Sequence, residues 1–163
     1  MKKIKIILSW LIVIIWMVLI FMFSNSPGIE SNNNSTKTIN KAISVTLDKT
    51  NELGITDKHP SANKMNRVVG LLNTPLRKCM HAGIYLVLAI LIVNAIYVSN
   101  INGKYIIAII ICFIYACTDE FHQTYIIGRT GQFSDVLIDT TGAIIGIGIY
   151  ALFNKLIRIL KKN

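Results

Sequence analysis

Four long apolar segments restrict this chain to folds that can keep such segments away from water. They lie at about residues 6–23, 79–98, 105–119 and 135–153. A helix needs about 20 apolar residues to cross a hydrocarbon core that is roughly 30 Å thick. Hydrophobic residues make up 53% of the 163-residue chain and charged residues only 15%. The sequence therefore predicts an all-α, polytopic membrane protein with about four transmembrane helices in a single domain, residues 1–163.

The first apolar segment follows Lys2, Lys3 and Lys5, as the core of a secretory signal would. It is longer than the usual apolar core of a signal, however, and no A-x-A cleavage site or lipid-attachment cysteine follows it in FSNSPG. We therefore interpret it as a retained transmembrane helix, with a cleaved signal as the alternative. The third segment is short for a bilayer, so its polar end is expected to lie inside the membrane boundary.

The distribution of charge predicts the orientation of the helices. With a cytoplasmic amino terminus, residues 1–5, 99–104 and 154–163 lie inside and contain eight basic residues and no acidic one. Basic residues in short segments beside membrane spans determine topology. We therefore expect a bacterial cell-membrane protein with both termini in the cytoplasm. The inner basic residues are Lys2, Lys3, Lys5, Lys104, Lys155, Arg158, Lys161 and Lys162.

The chain offers three other indications about partners and packing. Its net charge of +9 would suit nucleic acid, but the inner basic residues flank helices and form no separate module, so membrane lipids are the expected partners. Gly142 and Gly146 form a GxxxG pattern, which predicts close packing of the fourth span within the bundle or across a homo-oligomer. Gly128 and Gly131 predict a tight connection before that span.

One long connection, residues 24–78, is expected on the outer side. It opens with the breaker-rich SNSPGIESNNNST and closes with NTPLRK, and TKTINKAISVTLDKTNEL between them has apolar residues at helical spacing. This middle part predicts a surface helix. Either it lies on the outer membrane surface or it packs on top of the bundle.

Most of the reactive side chains fall where the spans meet the outer side. RKCMHAGIY (77–85) enters the second span, DEFHQ (119–123) leaves the third, and GRTGQFSDVLIDTTGA (128–143) enters the fourth. Ionisable groups at such depths are costly unless they are paired or solvated by a cavity, so we expect one shared polar site. The candidate catalytic residues are His81, Asp119, Glu120 and Asp139. The candidate substrate-binding residues are Arg77, Lys78, Tyr85, Gln123, Arg129 and Asp135. A purely structural alternative is that the basic residues are interfacial anchors paired with the acids.

These segments resemble the VanZ-like membrane proteins. The resemblance rests on R-K-x-x-H-x-x-x-Y, then D-E-x-x-Q-x-x-x-x-x-R, then S-D-V-x-x-D-x-x-G-A, and covers residues 77–148 in order and spacing. The FSxSPG sequence after the first apolar segment also fits. The resemblance implies a compact four-helix membrane protein associated with low-level resistance to teicoplanin, a lipoglycopeptide that acts at the outer cell surface.

Several functions fit such a site. In an enzyme, a hydrolase or transferase, His81 would act as general base or nucleophile, the acids would orient it or supply a proton, and the basic residues would hold an anionic, lipid-linked envelope component. A binding protein would instead shield a lipid or lipoglycopeptide without turnover. A transporter is less favoured, because the acids gather at one face and no inverted repeat is present.

A metal-dependent enzyme is a further alternative. The acids offer suitable ligands together with His81 and His122, but no H-E-x-x-H or closed cysteine and histidine pattern dictates a geometry. The sequence therefore predicts no metal ligand and assigns no cofactor.

Overall fold

The structure, a computed structural model, describes residues 2–53 and 61–161, and these form five helices without any strand. In chain order they are α1 (Lys2–Ser24), α2 (Gly28–Glu52), α3 (Ala62–Val98), α4 (Lys104–Gln123) and α5 (Phe133–Leu160). The predicted all-α fold is confirmed. All helices except α2 are long and apolar enough to cross a membrane. The protein is therefore a multi-pass membrane protein.

The apolar surface of the bundle has the distribution expected for contact with lipid. In α1 only Val13, Ile20 and Ser24 are buried, whereas Ile7 is 65% exposed. On α4, Ile106 is 67% exposed. Large apolar side chains exposed along whole helices would be unfavourable in water. They are the normal outer surface of a transmembrane helix, whose backbone hydrogen bonds are all made within the helix.

Helix α3 lies at the centre and contacts each of the other four helices. Its inner face is fully buried at Tyr85, Leu88 and Ile92. Hydrogen bonds hold α1 against α3 and α4. The Trp16 indole N–H donates to the Ile84 carbonyl at 3.1 Å, and the Tyr115 hydroxyl donates to the Met17 carbonyl at 2.6 Å. A donor buried in lipid needs such a partner, so these bonds set the position of α1.

The most extensive helix contact is between α3 and α5, and it depends on the GxxxG pattern. A Cβ atom on Gly142 would overlap the carbonyl oxygen of Ala82, and one on Gly146 would overlap that of Leu86. The backbones therefore approach as closely as only glycine permits. This confirms that the pattern packs the fourth span within the bundle.

The region before the second span differs from the sequence expectation. Helix α2 begins at Gly28, earlier than the apolar spacing indicates, and α3 begins at Ala62 and continues through Pro75. Proline removes a backbone hydrogen bond, so NTPLRK reads as a helix-breaking sequence. Packing offsets that loss, because α2 and this part of α3 contact each other and bury Ile39 and Val69.

Candidate functional site

Three of the candidate side chains come together at one end of the bundle. His81 of α3, Asp119 of α4 and Asp139 of α5 each place one nitrogen or carboxylate oxygen so that these atoms lie within 4.8 Å of one another. The two aspartates are 3% and 1% exposed. The close approach of α5 to Ala82, next to His81, is what brings Asp139 beside the imidazole.

A cavity of about 270 Å³ opens beside this cluster, and we refer to it as the polar cavity. Eight of the ten candidate residues line it: Arg77, Lys78, His81, Glu120, Gln123, Arg129, Asp135 and Asp139. Its wall also contains five residues that are not among the ten candidates: Thr74, Gly128, Thr130, Gln132 and Ile138. The cavity thus collects both cationic and anionic side chains from three helices and the α4–α5 connection.

Lys78 and Asp135 form an ion pair across the rim of the polar cavity. The ammonium nitrogen of Lys78 lies 2.5 Å from Oδ1 of Asp135, and each side chain is about one-third exposed. This pair joins α3 to the first turn of α5. Partial exposure keeps it within reach of solvent and ligand, so pairing does not remove its charges from the site.

Glu120 holds the connection between α4 and α5 in place. Its Oε2 accepts a hydrogen bond of 2.9 Å from the backbone N–H of Gln132, directly before α5. Gly131 lies against the Glu120 carbonyl so closely that a Cβ there would come within 2.6 Å of it. Gly128 has a φ of +76°, in the left-handed region. The two glycines therefore make the tight connection that the sequence predicts, and Glu120 has a structural contact as well as a place in the cavity wall.

A buried chain of polar groups links α1 to the cluster. The Gln123 amide donates to Oγ of Ser24 at 2.8 Å and to Oδ2 of Asp119 at 3.3 Å. Ser24 is fully buried and was missed in the sequence, because a single serine at the end of an apolar segment gives no signal of its own.

Arg129 joins the α4–α5 connection to the segment that follows α1. Its Nε donates to the Ser26 carbonyl, which follows α1, at 3.0 Å. Burial lowers the pKa of the Arg129 guanidinium from its ordinary value, and the charge of nearby Arg77 lowers it further, whereas Asp119 and Glu120 act in the opposite sense. Within the described part of the chain, Nη1 of Arg129 and Nε of Arg77 are buried without a hydrogen-bond partner.

A second cavity, of about 230 Å³, adjoins the first and is here named the apolar cavity. Arg77, His81 and Arg129 line both cavities. The remaining wall comes from α1, α2 and α3 together with Ser26 and includes Ile20, Phe23, Asn34, Ser35, Thr38, Met80 and Ile84. A row of polar groups thus separates a charged compartment from a mainly apolar one.

Tyr85, Asp119 and His122 line neither cavity. Asp119 is buried behind the wall, in the cluster with His81 and Asp139. Tyr85 is fully buried one helical turn beyond His81, with its ring 6.1 Å from that of Tyr115. Its hydroxyl has no hydrogen-bond partner among the described residues. His122 instead faces α1, where its ring centroid lies 4.5 Å from that of Phe21. The structure therefore separates His122 from the cluster around His81.

The family model described as VanZ/LLP1 matches residues 9–154, which is most of the chain. The protein belongs to the VanZ/LLP1 family. No curated protein and no solved structure is significantly similar to this VanZ/LLP1 chain. All ten candidate residues and both cavities lie within the part that the VanZ/LLP1 model matches.

Proposed function

We propose that this VanZ/LLP1 protein acts on an anionic, lipid-linked component of the bacterial cell envelope and thereby contributes to low-level resistance to teicoplanin. One observation carries the proposal: Arg77, His81 and Arg129 stand between a polar and an apolar cavity. Such a boundary suits an amphiphile, whose charged head group would occupy the polar cavity and whose chain would occupy the apolar one.

The charges in the polar cavity support a hydrolase or transferase. Arg77 and Arg129 carry buried N–H groups without a described partner, and guanidinium groups bind phosphate and carboxylate oxygens well. His81 lines the same cavity next to two buried carboxylates and is the group suited to general-base or nucleophilic catalysis. A head group held by the arginines would therefore lie beside the imidazole.

The proposed location is the outer face of the bacterial cell membrane. The start of α1, the α3–α4 connection and the end of α5 lie at the opposite end of the bundle, and residues 1–5, 99–104 and 154–163 of the sequence contain eight basic and no acidic residues. Basic residues beside spans stay in the cytoplasm, and this supports an outward-facing site and cytoplasmic termini.

The proposal is tested in a teicoplanin-susceptible Gram-positive host that expresses the full chain. His81→Gln and Arg129→Gln are compared with the parent and with Asp48→Asn, an exposed change on α2. We expect the parent and Asp48→Asn to raise the inhibitory concentration of teicoplanin and to change the mass or abundance of an envelope lipid. Both effects should be lost in the two site variants at equal membrane abundance. Full resistance with His81→Gln would contradict the enzymatic role.

A shielding protein without turnover is the second candidate. An open apolar groove of about 510 Å³ between α2 and α3, lined among others by Ile39, Ile43, Leu72 and Leu76, favours it because such a surface can hold an acyl chain without any chemistry. Teicoplanin that binds the protein in nanodiscs and is recovered with unchanged mass, together with an unchanged lipid profile in resistant cells, would support shielding over catalysis.

A further inference from the structure

We propose that His81, Asp119 and Asp139 bind one divalent metal ion at the buried end of the polar cavity. Their potential ligand atoms lie within 4.8 Å of one another and come from three different helices. The site deepens the proposed function and changes the role of His81 in it: an imidazole nitrogen bound to the ion would not act as base or nucleophile, and the ion would supply that chemistry instead. Ion binding is measured without any substrate, so failure of the metal site and failure of the proposed function are distinguishable.

The carboxylate oxygens supply an observation independent of the clustering. Asp139 is 1% exposed, and neither of its carboxylate oxygens has a hydrogen-bond partner among the described residues. Asp119 is 3% exposed, and its Oδ1 is likewise unpartnered, while Oδ2 accepts from Gln123. Burying a carboxylate without a partner costs several kcal/mol, and proteins normally compensate with a cation or a metal.

Of the three cations in the polar cavity, Lys78 and Arg129 have other partners, while the buried Nε of Arg77 and Nη1 of Arg129 remain without one. Lys78 pairs with Asp135, and the Nε of Arg129 donates to the Ser26 carbonyl. Neither makes a described hydrogen bond to the unpartnered oxygens of Asp119 and Asp139. A proton on Asp139 would neutralise the charge but would leave one of its oxygens without a partner. A metal ion would bind oxygens of both aspartates and the imidazole nitrogen together.

The ligand set indicates which metals fit. One imidazole with two carboxylates suits Zn²⁺ or Mn²⁺ better than Ca²⁺ or Mg²⁺, which prefer oxygen ligands alone. Three protein ligands leave coordination positions open, as in catalytic sites. His81 and Asp139 line the polar cavity, so the open positions would face the compartment that contains the unpaired N–H groups of Arg77 and Arg129. An anionic oxygen bound there would meet positive charge from both sides.

The test uses the full chain in detergent, purified without chelators. Its metal content is measured by inductively coupled plasma mass spectrometry. After removal of metal with EDTA, Mn²⁺ binding is titrated by electron paramagnetic resonance, with Zn²⁺ as competitor. We expect about one ion per chain. Loss of one ligand in Asp139→Asn or His81→Ala should weaken binding by about tenfold or more. Asp48→Asn, with its exposed site on α2, should bind as the parent does.

Several results would overturn the metal site. One is absence of both co-purified metal and saturable Mn²⁺ binding in the parent, which would mean that protons alone neutralise the cluster. Another is an equal loss of Mn²⁺ affinity in Asp48→Asn and Asp139→Asn, which would mean that the ion binds nonspecifically to surface carboxylates. If Asp139→Asn fails to fold, Asp119→Asn and His81→Ala decide the question, and unchanged affinity in either would refute the proposal.

Discussion

At the scale of single residues, the site combines groups with structural contacts and groups without any. Glu120 and Lys78 each have a defined partner, Gln132 and Asp135 respectively. The buried oxygens of Asp139, in contrast, have none in the described part of the chain. Buried polar groups without a partner destabilise a fold unless a ligand binds them. They therefore indicate a functional site more clearly than the paired residues do.

The contact of Glu120 leads to a prediction about stability. Glu120→Ala removes the acceptor for the Gln132 N–H in a position that is 6% exposed, and we expect a loss of about 1–3 kcal/mol in the free energy of unfolding. Glu120→Gln keeps a carbonyl oxygen as acceptor and should lose less. Thermal unfolding of both variants in the same detergent measures the difference. Equal losses would show that charge and not the hydrogen bond is what matters at this position.

At the scale of helices, the α3–α5 contact determines whether the site exists, because it carries Asp139 to His81. Gly142 and Gly146 let the two backbones meet, and the ends of α1 and α4 are joined through Gln123 and Ser24. The α4–α5 connection is fixed in turn by Arg129 on the Ser26 carbonyl. The shape of the polar cavity therefore depends on helix packing, and small changes in packing should alter the positions of the side chains that line it.

A substitution in the glycine pattern tests this dependence. Gly142→Ala places a Cβ against the Ala82 carbonyl, and the resulting overpacking should destabilise the bundle by about 1–3 kcal/mol. Gly148→Ala, on the exposed side of the same helix with nothing within 4 Å of the new Cβ, is the matched control and should leave stability unchanged or raise it by up to about 1 kcal/mol. Thermal unfolding in detergent compares them. Equal stability of the two variants would argue against the close backbone contact.

At the scale of the whole molecule, the orientation predicted from charge can be measured. In a variant whose three cysteines, Cys79, Cys112 and Cys117, are replaced by alanine, single cysteines are placed at Ser44 on α2 and at Lys161. A membrane-impermeant maleimide added to intact cells should label the first and should label the second only after permeabilisation. The reverse pattern would place the polar cavity in the cytoplasm and contradict the proposed outer location.

Much of this architecture follows from the sequence, and what was missed has physical causes. Charged groups at the membrane boundary are energetically costly unless they are paired or solvated, so their placement in the sequence predicts one shared polar site. Eight of the ten candidates do line one cavity. Ser24 and Asn34 were missed because uncharged polar groups cost less and leave a weaker pattern. The continuation of α3 through Pro75 depends on packing against α2, a contact distant in sequence that local propensity does not report.

The length of α3 decides how a ligand would reach the site. Its 37 residues make a rod of roughly 55 Å, whereas a hydrocarbon core is about 30 Å thick. To fit all of α3 into the hydrocarbon core, the helix would have to tilt by more than the usual range of about 0–40°. The amino-terminal part of α3 is therefore expected to extend beyond the core together with α2. With α2 and the start of α3 outside the hydrocarbon core, the apolar cavity between α1, α2 and α3 would open near the lipid head groups. An amphiphile would arrive by two-dimensional diffusion within its leaflet, and occupancy would follow its mole fraction among the lipids and not its concentration in water.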